Sequence, residues 1–267
     1  FKVECTMNTN ASITGKQSNW SVLKRKTKRV LNYFIVIFGV ALGIFFYWKY
    51  FYTYSTGYRA GLLQKFSRKG NIIKTYEGAK KAFAKTLKAL GTDYLDLFII
   101  HAPWPWNEMG KNCDEGNVQA YKAMEELYML GKIRAIGVSN FEIEHLENII
   151  KNCDIVPHVN QIGHFIGIDH KDLIEYCEEK EIFIIAYSPL GIGYLLSNEI
   201  IKEVANKYEV SPAQICIRYL LQKGMAPIPK SVHEERIIQN SEVDFVIEDC
   251  DMGVLDKIKG DPRRWGE

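Results

Sequence analysis

From Tyr76 onward the chain alternates short apolar runs with amphipathic segments of helical period, and few folds accept such a rhythm. Helical spacing over Tyr76–Leu90 meets Gly91, and an apolar strand follows at Tyr94–Ile100. A helix near Val118–Leu130, a strand Ile133–Val138, a helix Glu144–Lys151 and a strand Val159–Ile162 come next. Helix Lys171–Lys180 leads to strand Ile182–Tyr187; helices near Asn198–Tyr208 and Pro212–Lys223 precede a strand at Met225–Pro229 and a short final helix. Strands alternating with helices predict a parallel sheet with crossover helices. Each strand ends in polar or Gly/Pro residues and none is followed by G-x-G-x-x-G, so a (β/α) barrel is expected rather than a doubly wound dinucleotide fold.

In a parallel barrel the chemistry sits at the C-terminal strand ends. Those positions hold His101, then Ser139-Asn140, Asn160-Gln161, Tyr187-Ser188-Pro189-Leu190 and Lys230-Ser231. No serine, histidine and aspartate form a plausible triad and no carboxylate pair stands out, which argues against a hydrolase. Amides, hydroxyls and a flat ring suit a planar polar heterocycle; a lysine followed by Arg236 suits a phosphate.

"LGTDYLDLFIIHAPWPW", "GKIRAIGVSNF", "VNQI", "IIAYSPLG" and "APIPKSVHEERIIQN" together resemble the aldo-keto reductase superfamily in order and spacing. The similarity covers roughly residues 76–267. It implies an eight-stranded TIM-type barrel of which strands four to eight are recognisable, and NADPH-dependent reduction of aldehydes or ketones. By that resemblance His101 is the catalytic histidine that orients the substrate carbonyl. Ser139, Asn140 and Gln161 bind the nicotinamide carboxamide, and Tyr187 stacks under the ring. Ser188 and Leu190 lie by the pyrophosphate, Lys230, Ser231 and Arg236 clamp the 2′-phosphate of NADP, and Gln239 and Asn240 approach the adenine. Trp104 and Trp106 are expected to line the substrate mouth, where aromatic walls favour apolar carbonyl compounds.

The family pattern is not complete. After Gln161 similar sequences continue Ile-Glu-aromatic-His-Pro, whereas Gly163-His164-Phe165-Ile166 stands here, without the acidic residue. The family's tyrosine acid and the aspartate and lysine that tune it are not recognisable. "TGYRAG" (56–61) lacks the Asp-Thr-Ala continuation; Lys69 is placed within a residue of the expected lysine, but Gln64–Arg68 does not read as a strand. Two other outcomes are therefore carried beside the reductase: a non-catalytic NADP-binding or interaction protein, and a truncated or frameshifted reductase.

The first 75 residues read differently. Residues 1–29 are polar and basic, with Lys24-Arg25-Lys26-Thr27-Lys28-Arg29. Val30–Trp48 carries one strongly polar side chain, Asn32, and as a helix would span about 28 Å, close to a bilayer core. It is expected to be a single membrane span, or an out-of-frame translation of AT-rich DNA; residues 49–75 stay unassigned. The chain opens on Phe1, consistent with processing or an incomplete reading frame.

A net charge of +2 gives no reason to expect nucleic acid. Six scattered cysteines without C-x-x-C spacing predict reduced thiols and a cytoplasmic setting for the catalytic-type part, membrane-anchored if 30–48 spans. No metal site is expected; His164, Asp169 and His170 read as solvated loop residues. A monomer is expected if the barrel closes.

Overall fold

Six strands pair in the order in which the chain makes them, each parallel to the next. In this computed structural model the described residues are 63–66 and 75–260; they fall within one compact unit, Gly57–Glu267. The strands are β1 (Leu63–Phe66), β2 (Leu95–Ile100), β3 (Ile133–Ser139), β4 (Val159–Gly163), β5 (Phe183–Tyr187) and β6 (Ala226–Ile228). The helices between and after them are α1 (Tyr76–Leu90), α2 (Asp114–Met129), α3 (Ile143–Asn152), α4 (Lys171–Glu179), α5 (Glu199–Lys207), α6 (Pro212–Gln222), α7 (Glu234–Ser241) and α8 (Asp249–Leu255).

Local chemistry sets the element ends. Thr75 accepts the Gly78 N–H at 3.0 Å to start α1, and Gly91, at φ 66°, ends it in the left-handed conformation that glycine tolerates. Ser211 and Gln214 form a reciprocal capping box at α6, with Pro212 in its first turn. Along β2 the side chains alternate: Phe98 and Ile100 join the large core cluster shared with the helices, while Leu97 and Ile99 join a second cluster with Val159, Ile185 and Ala226. A sheet with apolar residues on both faces is what helix-covered parallel strands require. At Gly137 the strands come so close that a Cβ would lie 2.5 Å from the Val159 carbonyl oxygen.

The structure corrects the expectation that the stretch from Gln64 is not a strand. Leu63–Phe66 is a strand, paired with β2 from Leu63↔Leu97 to Phe66↔Ile100. Its local sequence is half polar, but backbone pairing with a strongly formed neighbour outweighs local preference. Five strands had been recognisable; a sixth is present. Among the described residues no helix is long and apolar enough to cross a membrane; the segment 30–48 lies outside them, as do 1–29 and Lys69.

Candidate active site

The C-terminal tips of β2, β3, β4 and β5 are tied together by one amide. Asn140, directly after β3, adopts φ 61°, a left-handed conformation that asparagine accepts more readily than most residues. Its backbone N–H donates to the Gln161 carbonyl of β4 at 2.9 Å. Its side-chain Nδ2 donates to the His101 carbonyl at 2.9 Å and to Ser139 Oγ at 3.0 Å, and its Oδ1 accepts the Tyr187 hydroxyl at 2.7 Å. His101, Ser139, Asn140, Gln161 and Tyr187 are thus brought to one end of the sheet.

Ser139 and Gln161 are fully buried, and they sit opposite each other in the β3–β4 register. Neither Gln161 Nε2 nor Oε1 has a hydrogen-bond partner among the described residues. A buried amide left unpaired costs about 1–3 kcal/mol for each group, so its presence at a strand tip points to a ligand. Tyr187 is half-buried, and burial raises its phenol above the ordinary value.

The neighbouring loops divide the remaining residues. His101 is half-buried, its ring edge-on to Trp106 at 5.6 Å, and Trp106 is 51% exposed. Trp104 instead packs its ring against His145 at 5.3 Å. Ser188, at φ 52°, and Leu190 begin a turn in which Ser188 and Leu190 carbonyls accept the Gly191 and Gly193 N–H groups at 2.9 Å; a 3-10 turn spans Gly191–Ser197. Lys230 is exposed and Ser231 half-buried on the loop after β6; Arg236, Gln239 and Asn240 lie on α7, which buries no residue. They are near one another in the chain, but no hydrogen bond joins them to the strand tips among the described residues.

Two amides brace the strand-end loops. Asn117, which no sequence motif singled out, donates to the Pro103 carbonyl at 3.0 Å and fixes the loop after β2. Asn160, expected at a strand end, donates to the Phe141 carbonyl at 2.8 Å and fixes the loop after β3. His164 overturns an expectation: it is 7% exposed rather than solvated, and its ring lies 5.6 Å from that of half-buried His170.

Parallel strands whose tips converge on a buried amide, a hydroxyl and a phenol define a barrel-type enzyme site. Comparison with known proteins narrows the class. Residues 67–259 match the aldo/keto reductase family, and the chain belongs to that family of oxidoreductases. It is 41% identical over 198 residues to the glyoxal reductase of Bacillus subtilis, covering 74% of this chain and 68% of the relative. The 9,11-endoperoxide prostaglandin H2 reductase of Trypanosoma cruzi is 40% identical over 201 residues, with 74% and 68% covered. Among solved structures, an aldo-keto reductase from a deep-sea metagenome superposes with a TM-score of 0.67 at 36% identity, covering 74% of this chain and 70% of that one. A Bombyx mori aldo-keto reductase in complex with NADP gives 0.65 at 30% identity, with 73% and 66% covered.

Proposed function

We propose that the strand-tip face binds NADP(H) and reduces a small aldehyde or ketone to the alcohol. The observation that carries this reading is the buried, unpartnered amide of Gln161 beside Ser139. A carboxamide presents a donor and an acceptor that match that amide, so the residues fit a nicotinamide. In this reading Ser139, Asn140 and Gln161 hold the carboxamide and Tyr187 supplies a flat wall under the ring. Ser188 and Leu190 flank the pyrophosphate, Lys230, Ser231 and Arg236 meet the 2′-phosphate, and Gln239 and Asn240 face the adenine. A guanidinium with a lysine favours the cofactor that carries the extra phosphate. When bound, the nicotinamide supplies a hydride. His101 orients the substrate carbonyl and is the assigned residue placed to hold a proton beside it. Trp106 walls the mouth, and Trp104 supports that wall through α3. Burial pushes the thiols of Cys153 and Cys216 up to about 12 and that of Cys177 to about 11, and the five described cysteines are free, which fits a cytoplasmic setting.

The test is titration of the purified chain with NADPH and with NADH, followed by addition of glyoxal, the substrate that names the Bacillus relative. The expected result is a fluorescence change at lower concentration for NADPH, then aldehyde-dependent oxidation. Binding without turnover would favour a non-catalytic NADP-binding protein, the reading that the unrecognised aspartate, tyrosine and lysine support. No binding of either nucleotide overturns both.

A further inference from the structure

Where the family pattern after Gln161 has an aromatic residue and then a histidine, this chain has His164 and then Phe165, and a second histidine follows at 170; the reductase reading uses neither. His164 follows the last residue of β4, and His170 caps the start of α4. Their rings are 5.6 Å apart and tilted by 35°. Nδ1 of each is buried and has no hydrogen-bond partner among the described residues. The segment is continuous with the cofactor face: Gly163 pairs in register with Tyr187, and the His164 N–H donates to the Tyr187 carbonyl at a long 3.4 Å.

The charged groups around the pair do not neutralise it. Asp169, in the loop, already accepts the Lys171 N–H at 3.1 Å, Glu142 stands at the N-terminus of α3, and Lys223 stands at the end of α6. Burial, then His170 and Lys223, pull His164 down to about 4 against the opposing influence of Asp169. Burial likewise lowers His170, although Glu142 and Asp169 oppose it. Both rings are therefore neutral in the closed segment at neutral pH.

We infer that Gly163–His170 is an acid-released latch on the ends of β4 and β5, held shut by the buried Phe165 and Ile166 and by the Gly260 N–H on the Gly167 carbonyl at 2.8 Å, and freed when the buried imidazole pair takes up a proton. Release would loosen Gln161 and Tyr187, and with them the nicotinamide end. Only this consequence rests on the cofactor reading. The sign follows from linkage. A histidine depressed in the closed form and near its ordinary value of 6.5 when opened leaves the closed form fully favoured above that value. Opening then gains about tenfold per pH unit as the pH falls towards the closed-form value.

Hydrogen exchange of the whole chain, read by mass spectrometry and corrected for intrinsic rates, tests the latch. Between about pH 7.5 and about pH 5, protection of peptides covering 162–170 should fall about thirty-fold from His164 alone. Peptides from β2 and β3 should stay better protected at both values. H164F should remove most of this dependence, with H164Q as a second variant should the larger ring disturb packing. The latch is overturned if the corrected protection does not change with pH, if both variants lose protection as the parent does, or if the segment opens only together with β2 and β3. Saturating NADP+ should restore protection in acid. Should acid release be seen but not reversed by NADP+, the latch stands and its coupling to the cofactor face fails, whereas loss of nucleotide binding at neutral pH would sink the cofactor reading itself.

Discussion

The two ends of the proposed cofactor site are built by opposite means. The nicotinamide end consists of strand tips: Ser139 and Gln161 are buried, Tyr187 is half-buried, and the Asn140 side chain bonds to His101, Ser139 and Tyr187. At the phosphate end Lys230, Arg236 and Gln239 are exposed, on a loop and on a helix that buries nothing. Residues held by a sheet are placed before any ligand arrives. Residues on an exposed helix keep side-chain freedom and lose it on binding. The same protein should therefore respond to substitution in two different ways, with stability and affinity coupled at one end and separable at the other.

Asn140 gives the largest contrast. Asn140→Leu removes three side-chain hydrogen bonds and puts a branched residue at a positive φ, so unfolding stability should fall by about 3 kcal/mol and NADPH affinity by about a hundredfold. Asn140→Gly keeps the backbone conformation and should lose less stability. Denaturant unfolding beside fluorescence titration separates the two, and an unchanged unfolding midpoint in Asn140→Leu would remove the brace. Gln161→Met tests the same end from the other side. It deletes a buried amide that lacks partners, so stability should hold or rise by about 1–2 kcal/mol while NADPH binds about tenfold more weakly. A loss of stability there would mean that the amide is satisfied within the protein. Arg236→Ala should be the mildest: stability within about 0.5 kcal/mol of the parent, NADPH about tenfold weaker, NADH unchanged. Equal weakening of both nucleotides would move Arg236 away from the 2′-phosphate.

Much of this layout could be read from residue order, because the informative features were local. Helix α1 starts at Tyr76 and ends at Leu90, as its apolar spacing and Gly91 predict, and β2, β3 and β5 stop just before His101, Asn140 and Ser188. What escaped depends on partners distant in the chain. β1 exists through its pairing with β2, since Gln64-Lys65 carries no strand signature. His164 looks like a loop residue until the burial of its ring is known. Trp104 and Trp106, two residues apart between prolines, read as equivalent, yet one packs on His145 and the other on His101. The 3-10 turn at Gly191–Ser197 contains Ile192 at φ 56°, a conformation that no pattern of apolar residues announces.

The order β1-β2-β3-β4-β5-β6 also bears on how the molecule is made. Among the described residues, β2 to β6 each pair with the strand synthesised just before. Each of these crossovers closes its own loop before the next begins. As the chain leaves the ribosome, His101 and Asn140 can meet as soon as β3 has docked on β2, before Tyr187 exists. This end of the proposed site is thus assembled progressively, with Asn140 in place to receive the Tyr187 hydroxyl when β5 arrives.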